Sequence, residues 1–446
     1  MSLPEPVHEE PRMQCTGIAR TLFSVLLATL LSSAHASADN TLADPVRLNP
    51  PPLAMANAAL VEEPAFWVDA GQQLRTDRAD RQQQLALADD FSADEVAASE
   101  EKTFSAVNDE VEKRKAFWAG NNSNEPRWIT QEQFEKQLKL VHKTVPDAKV
   151  GLFGPDSMMW KINRYIATGA FGAGQAMLLQ FSYPWITAGI DDHSMVKKDP
   201  IERGRNTFRY VLTMLYGSRE QALTAARDVR RIHAKVQGYM RYRAGAFGEG
   251  SEYRANEEAA MVWVHATLWE TQMKMYEEGV GKVSDIDKEQ YYQESKLFAY
   301  LFGIREEALP AHWLDFVAYC DKMRASDQLA VTKASRELSD FFFEVHSIGG
   351  VIIWPLMQVQ ILITKANLPP KLSKGYGFSN YTWFGKSVYA TGMWGSRVGH
   401  TILPDSLLEN PAYKEAHARI KSKKAGWFTR FELWVGFGNS RLTNDK

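Results

Sequence analysis

The sequence predicts an all-α protein, and three observations carry that reading. From Gly151 onward apolar residues recur at spacings of three and four, the repeat of a single helix face. No run of alternating β-branched residues is bounded by hairpin turns, as paired strands would require. Helix breakers fall between the periodic segments: Pro155, Pro184, Pro200, Gly217, Gly238, the GEGS loop at 248–251, Gly279, Pro310 and the pair Pro369-Pro370.

Taken in order, the chain opens on a leader. Arg20 is followed by the apolar run TLFSVLLATLLSS and then by the small residues AHASA before Asp39. That run is too short for a membrane span and ends in a small-x-small cleavage pattern, so residues 1–38 read as a signal peptide. Periplasmic or secreted localisation follows as an expectation. The acidic stretch PEPVHEEP is foreign to a leader, whereas a start at Met13 gives the short basic opening MQCTGIAR.

Residues 39–145 read as a polar linker with accessory helices. Its first part, to residue 66, is rich in Pro, Ala and Asn and favours an extended arm. The run SEEKTFSAVNDEVEKRKAFW reads as an exposed helix, and QEQFEKQLKLVHK as a second polar helix capped by Thr130. Residues 146–446 make the main helical domain, with its dense core starting at Gly151.

Composition bounds the function classes. With 446 residues, 45% of them hydrophobic and 24% charged, the chain has ample material for a core and a pocket. A formal net charge of -2 argues against a nucleic-acid binder, which carries a clustered basic excess. The two cysteines are Cys15 and Cys320; removing the leader leaves one thiol and no intrachain disulfide.

Two histidines fall on apolar helix faces. Around His233, Ala222, Ala226, Val229 and Val236 lie on one side, while Arg227, Asp228, Arg231 and Lys235 point the other way. The imidazole is therefore expected to point into the core, where each ring nitrogen needs a partner. The plainer reading is a hydrogen-bonded core histidine; the sharper one is a ligand to a metal ion, haem iron included. His265 lies with Met261, Val262, Leu268 and Trp269 and is a pocket-wall candidate. Asp191, Asp192 and His193 read as loop and cap chemistry before a metal site. The glycines of TGAFGAGQA match neither GxGxxG nor GxxxxGK[ST], so close helix packing accounts for them better than nucleotide binding. HExxH and GxSxG are absent from the sequence.

Three segments in order carry a family resemblance: AFGAGQAMLLQFSYPWITAGIDDHS (170–194), DPIERGRNTFRYVLTMLYGSREQALTAARDVRRIHAKVQG (199–238) and YYQESKLFAYLFGIREEALPAHWLDFVAYCDKM (291–323). They resemble the MpaB-type oxygenases and rubber oxygenases, also called latex clearing proteins. The resemblance implies a globin-like helical core with additional helices around a haem pocket. It further implies that His233 is the axial ligand of a b-type haem iron and that Arg230 lies close to it. Arg203 and Thr207 match the arginine and threonine of the family's distal side, with His265 as a further cofactor-pocket residue. Two departures stand out: Asn206 replaces the lysine before that threonine, and Tyr183-Pro184 replaces a His-Pro found in many relatives. Both argue against rubber itself as substrate and leave the haem assignment in place. With no CxxCH, the haem would be held noncovalently.

Near the C-terminus, IGGVIIWPLMQVQILITKA (348–366) is interrupted by Pro355, Gln358 and Gln360, and reads as a buried or substrate-channel helix. KSKKAGWFTRFELWVGFG joins a basic cluster to five aromatics, a pattern either of peripheral membrane contact or of a helix packed onto the domain. The whole reads as an exported haem b oxygenase. Through Arg203, Asn206 and Thr207 beside the iron, it would use dioxygen to oxidise or cleave a C=C bond of a hydrophobic small-molecule or polymeric substrate. The rival readings are a noncatalytic haem carrier or gas sensor, and a haem-free lipid-binding envelope protein.

Overall fold

The computed structural model describes residues 127–145, 147–193, 200–343, 359–378, 383–437, 439, 441 and 442. The leader, the arm and the exposed helix expected before Trp118 lie outside the described residues, as do 348–358.

The described chain is helical almost throughout, as the spacing predicts. Helix α1 (Gln131–Thr144) is capped by Thr130, whose Oγ1 accepts from the Gln133 amide at 3.1 Å. Phe134, Leu138 and Val141 on its inner face are fully buried. The core therefore begins before Gly151: three apolar residues at spacings of four and three are enough to pack a helix whose other positions are polar.

Helices α2 (Met158–Asn163), α3 (Ile166–Phe181) and α4 (Pro184–His193) follow. Two of the three glycines of α3, Gly172 and Gly174, serve close packing. A Cβ on Gly172 would come within 2.9 Å of Thr271 Cγ2, and one on Gly174 would press on the buried Thr364 hydroxyl. Helix α5 (Pro200–Tyr216) packs along α6 (Arg219–His233), joined to it through Gly217 and Ser218. Ser218 and Gln221 form a reciprocal capping box at the start of α6.

A departure from the all-helical expectation comes next. Strands β1 (Gln237–Tyr239) and β2 (Glu252–Arg254) pair antiparallel, with Gly238 opposite Tyr253. Each is three residues long, too short to show alternation in sequence. The GEGS loop lies between them.

Helix α7 (Glu258–Gly279) is the central element, packed on α3 and buried on several faces at Trp263, His265, Trp269 and Met273. Around it stand α8 (Asp285–Tyr300), α9 (Trp313–Ala325) and α10 (Lys333–Phe343). The helical stretch 359–367 is buried at Gln360, Ile363 and Thr364, and Gln360 Nε2 donates to the Ala170 carbonyl of α3 at 2.7 Å. The chain ends through α11 (Pro370–Gly375), α12 (Trp383–Ile402), α13 (Asp405–Leu408), α14 (Pro411–Ile420) and α15 (Trp427–Phe437). Among the described residues no helix is long and apolar enough to cross a membrane.

Candidate functional site

Helix α6 positions the histidine that the sequence singles out. Ala222, Leu223, Ala225 and Ala226 bury its inner face, and Val229 packs against the core. The helix stops at His233: after the Ala234 amide the next two, of Lys235 and Val236, close three residues back onto the Ile232 and His233 carbonyls at 3.2 and 3.0 Å, and the chain turns toward β1. Val236 therefore leaves the apolar face it was expected to extend and packs with Tyr253 and Met240 instead. His233 is half-buried at the edge of the core, not deep within it.

Beside it lies a narrow cavity, partly open to solvent and too tight to admit a water molecule between its walls. His233, Arg230 and Ala226 of α6 form one wall, and Phe134, Asn256, Met261, Leu301 and Phe302 complete it. Residues distant in sequence meet here because a short bridge holds them: the Ile129 amide donates to the Asn256 carbonyl at 2.9 Å, and the Glu258 amide to the Arg127 carbonyl at 2.8 Å. Nothing in local spacing announces that pairing.

Arg230 is the polar group of this cavity. Its Nη2 donates to the Ile129 carbonyl at 2.8 Å, its Nε faces Gln131 Oε1 at 3.4 Å, and its guanidinium lies 5.5 Å from the centre of the Phe134 ring. Nη1 is buried and has no hydrogen-bond partner. Burial also lowers the pKa of the guanidinium. An unsatisfied, charged N–H that is buried is costly unless an anion meets it.

Two acids that the sequence pattern did not single out stand at the start of α7, next to Asn256. Glu257 caps the helix, accepting from the Ala259 amide at 3.1 Å and the Ala260 amide at 2.6 Å, yet burial raises its pKa to about 7. Glu258 is buried too, and pairs with Arg305 through Nη2 at 2.6 Å and Nε at 3.0 Å. Their signal was available: two carboxylates ahead of an apolar helical run mark a helix start.

The other expected residues fall elsewhere. Asn206 and Thr207 sit on α5, half-buried and exposed respectively, and Asn206 Oδ1 accepts from Arg209 Nη2 at 3.0 Å. The Arg203 side chain lies outside the described residues, its backbone in α5. Neither Asn206, Thr207 nor His265 lines the cavity. His265 is 3% exposed; its Nδ1 accepts from Trp269 Nε1 at 3.1 Å, and its Nε2 lies 3.4 Å from Ser295 Oγ. Because Ser295 donates its own proton to the Tyr292 carbonyl at 2.7 Å, the hydroxyl is left to accept from Nε2–H. Both ring nitrogens thus have protein partners, and burial lowers the pKa to about 3, keeping the ring neutral.

Asp191, Asp192 and His193 are not a cap before a helix but the last turn of α4. Asp192 accepts from the Tyr253 hydroxyl at 2.6 Å and pairs with Arg241, while His193 Nε2 meets the Gln237 carbonyl at 2.9 Å; these contacts tie the end of α4 to the strand pair. Among the described residues no group of three or more His, Cys, Asp and Glu side chains stands together to hold a metal ion.

The cavity can be tested against a haem b. The donor set fits: an imidazole for the iron and a partnerless guanidinium N–H for a carboxylate, within apolar walls. The space is short. The lining atoms leave no room between them even for a water molecule, whereas small-ligand pockets enclose roughly 300 Å³ or more, so seating a macrocycle requires the last turn of α6 to part from Phe134 and Phe302. That turn is at the surface, with Ile232, Ala234 and Lys235 exposed.

One comparison with known proteins gives a match. The family described as ER-bound oxygenase mpaB/B'/Rubber oxygenase, catalytic domain, matches residues 160–398, more than half of the chain and including the whole of α6. No curated protein and no solved structure matches.

Proposed function

Because the chain belongs to the family of ER-bound oxygenase mpaB/B' and rubber oxygenase catalytic domains, we propose that it is an oxygenase. On this reading it binds haem b noncovalently through His233 and oxidises or cleaves a C=C bond of a hydrophobic, isoprenoid or unsaturated lipid-like substrate. The observation that carries the proposal is that His233 and Arg230 line one cavity inside the family-matched span, with Nη1 of Arg230 buried and without a hydrogen-bond partner.

In this reading His233 would hold the iron through a ring nitrogen, and Arg230 would offer its unpaired Nη1 to a carboxylate of the bound group. A haem supplies dioxygen activation when bound. Arg203, Asn206 and Thr207 belong to α5, which packs along α6; Asn206 and Thr207 lie outside the cavity lining, so they would donate to bound dioxygen only once the cavity opens toward α5. Phe134, Met261, Leu301 and Phe302 exclude water from the cavity and favour an apolar ligand. His265 keeps to the core as a neutral, paired imidazole, which leaves His233 as the one proposed iron ligand. Export through the leader at 1–38 belongs to the same proposal.

Oxygen uptake by the purified, haem-supplemented protein tests it. Oxygen-dependent formation of carbonyl products from an isoprenoid or unsaturated lipid supports the oxygenase. A haem-bound protein that forms no product with such substrates would be a carrier or sensor. The rival reading, a haem-free lipid-binding envelope protein, predicts a colourless preparation.

A further inference from the structure

Helix α15 and the lysines before it form a surface that the proposed oxygenase site does not use, and they lie beyond residue 398, where the family match ends. The helix is held on one side only. Leu433 is fully buried, and Glu432 pairs with Lys414 at 2.8 Å. At about 100° per residue, Trp427, Phe431 and Trp434 share the opposite face, with Phe428 at its border. These four side chains are exposed, Trp427 by 77% and Trp434 by 58%. Five aromatics could have packed this helix onto the domain; the structure turns four of them to solvent instead.

Charge accompanies the aromatics. Lys421, Lys423 and Lys424 precede the helix and are exposed, Arg430 is exposed within it, and its one acid, Glu432, is turned inward to Lys414. A large apolar patch rimmed by cations on a helix too short to span a bilayer matches the chemistry of an anionic lipid surface. Tryptophans rest at the level of lipid headgroups, and lysines pair with phosphates there. A protein partner for such a face would need an acidic rim around an apolar centre; an anionic bilayer supplies both at once.

We propose that α15 and the 421–424 lysines dock this protein peripherally on anionic membranes, with the aromatic face buried in the interface. The docking is independent of the haem reading, since none of its residues touches the cavity. Flotation of the full chain with phosphatidylcholine vesicles, with and without phosphatidylglycerol, tests it. Binding is expected to anionic vesicles, falling as salt rises. The triple variant Lys421→Gln/Lys423→Gln/Lys424→Gln should lose on the order of a hundredfold in partitioning, about fivefold per lysine. The double variant Trp427→Ala/Trp434→Ala should lose at least about tenfold, with unfolding temperature and His233-dependent absorption unchanged. Failure of the wild-type chain to float overturns the proposal. So does flotation that neither variant weakens, and so does a dimer in solution that Trp427→Ala/Trp434→Ala converts to monomer, which would assign the face to a second copy. Should the double variant misfold, Arg430→Gln, on the exposed side, reports the same charge dependence.

Discussion

His233 and Arg230 lie three residues apart, a spacing that sets both on one side of the last turn of α6. The sequence made this pair legible through the apolar run of alanines behind it, but not the partners facing it. Phe134, Asn256, Leu301 and Phe302 come from separate segments, brought together by the pairing of 127–129 with 256–258 and by the Gln133 side-chain amide donating to the Gly303 carbonyl at 2.8 Å. Glu257 is the residue whose behaviour sequence concealed most, since its burial is a property of the assembled core. Its pKa, raised from 4.5 to about 7, means that folding takes up a proton in that window. Its contribution to stability is complete below pH 4.5 and is lost as the pH rises through about 7. Relative to Glu257→Gln, the wild type should lose roughly 3 kcal/mol between these limits, because each tenfold change in proton affinity is worth about 1.36 kcal/mol. Urea unfolding of both proteins at the two pH values checks this, and equal losses would contradict it. His265 has the opposite sign. Its pKa, lowered to about 3, gives stability that is complete above 6.5 and is lost as the pH falls toward 3. The variant His265→Gln, which can accept from Trp269 and donate to Ser295 without titrating, should resist acid unfolding better in that range.

At the scale of elements, the helix ends were the readable part. Thr130 caps α1, and breakers such as Gly217 and Pro370 fall at helix boundaries. The Ser218 box shows why α6 starts where it does, and Ser218→Ala should lower stability by about 1 kcal/mol through the freed amides. Two features escaped. The three-residue strands are too short for period-two alternation, and α1 looked polar because its buried stripe is only three residues wide. The glycines of α3 offer a paired test of the packing account. Gly169 has no atom within 4 Å of an added Cβ, so Gly169→Ala should raise stability by up to about 1 kcal/mol through helix propensity. Gly174→Ala gains the same propensity but forces its Cβ onto Thr364, inside the 3.0 Å that real Cβ atoms keep. It should lose about 1–3 kcal/mol to overpacking. Thermal unfolding in which both variants shift the same way would contradict the contrast.

For the whole molecule, an all-α fold around one large core was predictable, because a 3.6-residue repeat sustained over hundreds of residues leaves few other solutions. The family match gives the oxygenase frame, and the structure contributes a half-buried imidazole, a guanidinium with one unmet donor and a narrow cavity beside them. What holds the account together is His233 as iron ligand. The most direct test is the absorption spectrum of the haem-supplemented mature chain beside His233→Ala, with a pyridine haemochrome assay and circular dichroism to confirm that both are folded. The account predicts a b-type Soret band in the wild type that the substitution abolishes. A band that survives in His233→Ala, or no band in either folded protein, would contradict it.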